Sequence, residues 1–129
     1  MKLVLPIRTK SGDNSRNHWR AKATRAKAHR QGARIALASR FEAVGFAGYP
    51  GGMTVTLTRV APRPLDTDGN ASGMKSIRDG IADALGLRSD NDARVSWLYA
   101  QRRGAARLYA VEIEITPRTT CHACGQVLP

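Results

Sequence analysis

The sequence predicts one small α+β domain in which a mixed four-stranded sheet carries two packed helices, in the order β-α-β-α-β-β. Two periodicities point there. Met53, Val55 and Leu57 alternate with Thr54, Thr56 and Thr58, the pattern of a half-buried strand, whereas Met74, Ile77, Ile81 and Leu85 recur at helical spacing. Length sets the scale. A chain of 129 residues makes a single domain that buries roughly two thirds of its unfolded surface, with no room for a second substrate domain or a large lid.

In chain order, residues 2–6 (KLVLP) form a short strand ended by Pro6, and residues 7–17 are loop by their Ser, Gly, Asn and Asp content. A helix is expected from about His18 to Ala43. At 100° per residue, Trp19, Ala26, Ala33 and Leu37 fall on its core side and Arg20, Lys27, Arg30 and Arg34 form a ridge beside it. The segment GFAGYPGG stops that helix, and MTVTLTRVA over 53–61 is the clearest strand, ended by Pro62 and Pro64. The segment LDTDGN then reads as loop, and a second helix runs from about Ala71 to Leu85 with Gly86 as its stop. After RSDND, the alternating stretches Val95 to Gln101 and Arg107 to Thr116 are expected to pair as a β-hairpin across RRGAA. The domain accordingly spans 1–116, with 117–129 as a separate tail expected to be flexible.

The chain carries 21 Lys and Arg against 10 Asp and Glu, a formal net charge of +11. A field of that sign and size on so small a body attracts polyanions, chiefly nucleic acid. The distribution is uneven. Positions 1–40 hold eleven of the basic residues and a single acid, Asp13, whereas positions 66–92 hold six acids, all of them Asp: 66, 68, 79, 83, 90 and 92. No apolar run approaches a membrane span or the core of a signal peptide, so a cytoplasmic protein without a membrane partner is expected. Two cysteines near the end cannot frame the fold with disulfides, which agrees with a reducing compartment.

Asp66 and Asp68 follow the best strand at a spacing of two, so a persisting strand would aim both carboxylates at one spot. Like charges that close need a cation between them, and hard divalent ions such as Mg²⁺ or Mn²⁺ take oxygen ligands. Asp90 and Asp92 repeat the spacing after the second helix and offer a third carboxylate. Lys75, Asp79 and Asp83 lie four apart, opposite the apolar stripe. Lys before Asp is the weaker order for a helical ion pair, worth at most ~0.5 kcal/mol, so pairing alone gives little reason for Lys75. An ammonium beside a metal and a phosphodiester would instead stabilise developing negative charge.

The stretch LDTDGNASGMKSIRDGIADALGLRSDNDARV, from Leu65 to Val95, resembles the metal-site segment of RusA-type Holliday junction resolvases, particularly their phage and prophage relatives. MTVTLTRVAPRP before it, VSWLYAQRRG after it, and LVLP with NSRNHWR at the start extend the likeness over most of positions 2–116. The resemblance implies a homodimeric, Mg²⁺-dependent endonuclease that resolves branched DNA in recombination and repair, nucleoid-associated or phage-encoded. By position it implies Asp66 and Asp68 as metal-binding aspartates, Lys75 as the essential lysine, and a further acid at Asp90 or Asp92, with Asp92 slightly favoured because it precedes Ala-Arg-Val. Gly69 stands where family members commonly have Asn, and Asn70 comes one later.

On that reading Arg16, His18, Arg20, Lys22, Arg25 and Lys27, with Arg63, Arg102 and Arg103, hold the DNA backbone, and affinity falls with salt by a slope of about 0.9 per contacted phosphate. Trp97 and Tyr99, alternating within a strand, are expected in the core, and Trp19 is divided between stacking and packing. Cys121 and Cys124 form only half of a tetrahedral zinc site, and a reduced tail without zinc is expected. The rival class is a nonenzymatic basic DNA- or RNA-binding protein, in which the aspartates merely form turns and helix caps. A nuclease of the same fold acting on other branched or flapped DNA is a third reading.

Overall fold

The computed structural model describes residues 1–9, 19–41 and 48–118. Its elements are β1 (Lys2–Leu5), α1 (Trp19–Phe41), β2 (Met53–Ala61), α2 (Thr67–Gly73), α3 (Lys75–Ala84), β3 (Val95–Arg103) and β4 (Ala110–Pro117). The strands form one mixed sheet of order β1-β4-β2-β3, with β4 antiparallel to both neighbours and β2 parallel to β3. This is the expected α+β architecture. Arg16, His18, Cys121 and Cys124 lie outside the described residues.

Burial explains the order of the strands. Met53, Val55 and Leu57 of β2 and Val111, Ile113 and Ile115 of β4 are almost wholly shielded from solvent, so these two strands occupy the middle. Each such side chain contributes about 1.5–3 kcal/mol by leaving water, more than an edge position would return. Among the described residues helices cover this face of the sheet alone: Ala33, Leu37 and Phe41 of α1 and Ile77 and Ile81 of α3, with Met74 before it, complete the core. The opposite face carries Thr54, Thr56, Thr58, Glu112 and Glu114, as one-sided alternation requires. α1 and α3 touch closely because Gly80 has no side chain, and a Cβ there would collide with the carbonyl oxygen of Arg30.

Three expectations are corrected. β3 and β4 do not form a hairpin, because β2 lies between them and the connection 104–109 arches over its end, with the Gly104 N–H donating to the Ala61 carbonyl at 2.9 Å. Alternation reports which face of a strand is buried, not which strand is its neighbour. The second helix starts four residues earlier, at Thr67, and is divided at Met74, whose N–H bonds to Ala71 and Ser72. Gly86 ends α3 at φ +73° as anticipated. Trp19 is 67% exposed rather than packed, since α1, about 35 Å long, runs past the sheet and only its second half meets the core. In the Lys75, Asp79, Asp83 row, Asp83 turns to α1, where Arg30 grips it with two hydrogen bonds of 2.6 and 2.9 Å.

Candidate functional site

The carboxyl ends of the parallel pair β2 and β3 are where an α/β crossover leaves a crevice, and the chemistry-bearing residues gather along that strand pair. β2 ends at Ala61, and Pro62, Arg63 and Pro64 carry the chain outward. Leu65 is then clamped to Gln101 of β3 by two hydrogen bonds, its N–H to Oε1 at 2.8 Å and its carbonyl from Nε2 at 2.7 Å. This clamp fixes the position of Asp66. Asp66 is the N-cap of α2: its extended backbone (φ −65°, ψ 168°) and its Oδ1, accepting from the Gly69 N–H at 2.7 Å, open the helix.

Asp66 and Asp68 therefore do not continue a strand. The cap turns the chain into helix at once, and Asp68 sits exposed in the first turn with no ion-pair partner among the described residues. One turn after Asp66, Asn70 is 4% exposed; its Nδ2 donates to the Ala100 carbonyl at 3.2 Å, while its Oδ1 is buried without a donor. An orphaned buried acceptor costs about 1–3 kcal/mol. Asp66, Asp68 and Asn70 thus place oxygen donors of the hard kind that Mg²⁺ or Mn²⁺ takes within one turn of chain, although residues two apart on a helix do not face each other.

A second cluster lies at the start of α3. Lys75 Nζ donates to Asp79 Oδ1 at 2.9 Å and to Asp90 Oδ2 at 2.8 Å. Both bonds hold its ammonium above the ordinary lysine value, so Lys75 is a fixed cation and not a base. Asp90, with a side chain only 14% exposed, is also approached by Arg78 Nε at 2.8 Å, at an angle that makes no hydrogen bond. The Lys75 hydrogen bond and the nearby Arg78 charge hold the Asp90 carboxyl below its ordinary value. Arg78 is itself fixed: it donates to the Tyr99 hydroxyl at 2.9 Å and lies 4.7 Å from the Trp97 ring centre, and Trp97 Nε1 donates to the Asp90 carbonyl at 2.7 Å. Trp97 and Tyr99 are thus half-buried supports of this cluster.

Asp92 belongs to neither group. It pairs with Arg94 at 3.1 Å and accepts the Arg94 N–H at 2.9 Å, which lowers its carboxyl and makes a local turn of the segment. Among the described residues, no three His, Cys, Asp or Glu side chains converge closely enough to share a metal ion. The sequence-predicted acids fall instead into an Asp66, Asp68 group on α2, an Asp79, Asp90 group around Lys75, and Asp92 apart.

Basic residues flank both groups. A cavity of about 410 Å³ at the end of β2 and β3 is lined by Arg59, Arg63, Arg102 and Arg103, with Gln101 and Pro64. A smaller one of about 160 Å³ lies between α1 and the α2–α3 junction, lined by Lys22, Arg25 and His29 opposite Ser72 and Ser76. Burial and then the Arg25 charge push the His29 imidazole below its usual value, so it is held neutral. Arg20 and Lys27 lie on exposed turns of α1. No family model matches the chain, and no curated protein does so. No helix among the described residues is long and apolar enough to cross a membrane.

Sequence reasoning missed Arg59, Arg78 and Asn70. For Arg59 a signal existed: it continues the core-facing register of Met53, Val55 and Leu57, where an arginine is out of place. Asp66 as N-cap was legible too, from an Asp preceding a helical stripe, but the glycines of DGNASG lower helix propensity and read as loop.

Proposed function

We propose that this protein is a Mg²⁺-dependent endonuclease, Mn²⁺ serving equally, that acts on branched DNA, four-way junctions among them, as RusA-type resolvases do, with two copies making paired nicks. The observation that carries this reading is the adjacency, within a few residues at the end of β2, of an arginine-lined cavity and the carboxylates that open α2. A protein that only coated nucleic acid would gain nothing from exposed carboxylates beside its phosphate contacts. Asp66, Asp68 and the Asn70 side-chain carbonyl would hold the cation. When bound, it supplies Lewis acidity toward a phosphodiester and toward water.

The protein's own residues do the rest. The arginines of the cavity hold backbone phosphates, and the α1 cations extend that contact. Lys75, kept charged by Asp79 and Asp90, gives a fixed positive charge near the start of α3, and fixed charges that need not reorganise are the effective ones for developing negative charge. The segregation of the acids into separate groups favours the second reading, a nonenzymatic binder. Incubation with a synthetic four-way junction separates the two. Paired nicks that require Mg²⁺ and vanish in EDTA are expected, whereas a shifted but uncut junction at every Mg²⁺ concentration would leave only binding.

A further inference from the structure

Arg59 is a buried cation outside the carboxylate clusters. The residue is 7% exposed and has no carboxylate partner among the described residues. Its Nε donates to Thr9 Oγ1 at 3.2 Å and its Nη1 to the Arg63 carbonyl at 2.7 Å, neutral acceptors that orient a guanidinium without neutralising it. Burial pushes its pKa below the ordinary arginine value; nearby Tyr109 opposes the shift and the Arg8 charge adds to it. Arg8 lies over the Tyr109 ring at 4.3 Å. Lining the same cavity, Arg63 and Arg103 have no ion pair among the described residues, and Arg102 is tied to Glu112.

A buried charge is ordinarily paired, because desolvating an ion costs several kcal/mol. Here four arginines line one cavity, and among the described residues the only acid engaged by any of them is Glu112. The volume, about 410 Å³, exceeds what a single phosphoryl group fills, which leaves room for a sugar or a second phosphate. Planar guanidinium forks match phosphate oxygens in pairs. Position supports the same conclusion, since parallel strands present ligands at their carboxyl ends.

We infer that this cavity is a phosphoryl-binding site, with Arg59 as its oriented floor and Arg63 and Arg103 as its closing sides. The site rests on the nucleic-acid reading only for the source of the phosphoryl group, which is a DNA backbone phosphate, a DNA 5′-terminal phosphate or free phosphate. Its recognition chemistry is independent of metal and of hydrolysis.

The test follows the arginine Nε–Hε resonances of the full chain in ¹⁵N spectra. Inorganic phosphate is titrated against chloride at matched ionic strength, followed by short DNA duplexes with and without a 5′-phosphate. The Arg59 resonance is expected to shift saturably with phosphate and not with chloride. Arg63→Gln with Arg103→Gln should weaken that response at least about tenfold, while Arg88→Gln, exposed on the segment after α3, leaves it unchanged. These exposed positions spare the fold, so the buried Arg59 itself need not be replaced. Equal shifts with both duplexes identify a backbone phosphate, and a response to the phosphorylated duplex alone a terminal one. A response to inorganic phosphate with none to either duplex upholds the site and overturns the nucleic-acid reading. An Arg59 resonance indifferent to phosphate, or a response unaltered by Arg63→Gln with Arg103→Gln, overturns the site.

Discussion

Asp66 and Asp68 share their spacing with Asp90 and Asp92, yet the two pairs live in opposite surroundings. In the first pair, one carboxylate caps α2 and the other stands exposed and without an ion pair among the described residues. In the second, Asp90 is held by Lys75 beside Arg78 and Asp92 is taken by Arg94. The difference teaches that an acid's availability is decided by its cationic neighbours, not by its spacing. A carboxylate already neutralised by fixed cations binds a metal only by displacing them, whereas Asp68 has no cation to displace among the described residues.

The largest effect should therefore fall on the first pair. Asp68→Asn is expected to reduce Mg²⁺-dependent nicking of a four-way junction by about 100-fold or more, with junction binding retained, because a ligand should matter at least as much as the groups that merely orient one. Asp66→Asn sharpens this, since Asn caps helices as well as Asp. It should lose cutting while unfolding at the same denaturant concentration as the parent. Asp66→Ala should in addition lose about 1 kcal/mol of stability with the cap. Full nicking activity in Asp66→Asn and Asp68→Asn would remove the basis for assigning the two pairs different roles.

How much of this was legible follows from the kind of signal each residue leaves. Met53, Val55 and Leu57 announce a half-buried strand because burial repeats every second residue, and Ile77 and Ile81 announce a helix face for the same reason. The α+β class was therefore readable. The strand order was not, because only packing decides that β2 separates β3 from β4. At the site, the identities of Asp66, Asp68, Lys75 and Asp90 were readable as chemistry, but their grouping was not. Lys75 meets Asp90 across fifteen residues and Arg78 meets Trp97 across nineteen, and no local pattern encodes contacts of that range.

Next in size is the loss on opening the second cluster. Asp90→Asn removes the charge that Lys75 and Arg78 share, and should cost about 1–2 kcal/mol in urea unfolding at pH 7. The same substitution leaves the Asp66 cap untouched, so it should act on stability more than Asp68→Asn does. Equal stability losses in the two variants would break the contrast.

Acid titration divides the molecule again. His29 has a lowered folded pKa, so its contribution is complete above about pH 6.5 and is lost as the pH falls through that lowered value. Asp83, Asp90 and Asp92 are lowered from an ordinary value of about 3.9, so their stabilisation is complete above it and disappears only as the pH falls through their folded values. Stability should thus decline in two waves. His29→Gln is expected to remove the first and Asp90→Asn to shrink the second, both read as unfolding midpoints between pH 7 and pH 2. A single wave unaltered by His29→Gln would show that burial between α1 and the α2–α3 junction does not hold the imidazole neutral.

The smallest effect belongs to Asp92. Its pairing with Arg94 is local, two residues apart, and exposed to screening by salt. Asn in its place still accepts the Arg94 N–H and keeps the turn. Asp92→Asn should accordingly shift Tm by no more than about 2 °C, and nicking should persist because the residue stands apart from both acid groups. The resemblance read from the sequence implies Asp90 or Asp92 as the further acid, and the geometry separates them: Asp90 reaches Lys75, and among the described residues Asp92 reaches only its own turn. A loss of cutting in Asp92→Asn as deep as in Asp68→Asn would mean that the loop before β3 rearranges to bring Asp92 to the DNA, and the division between available and occupied carboxylates would have to be redrawn around that motion.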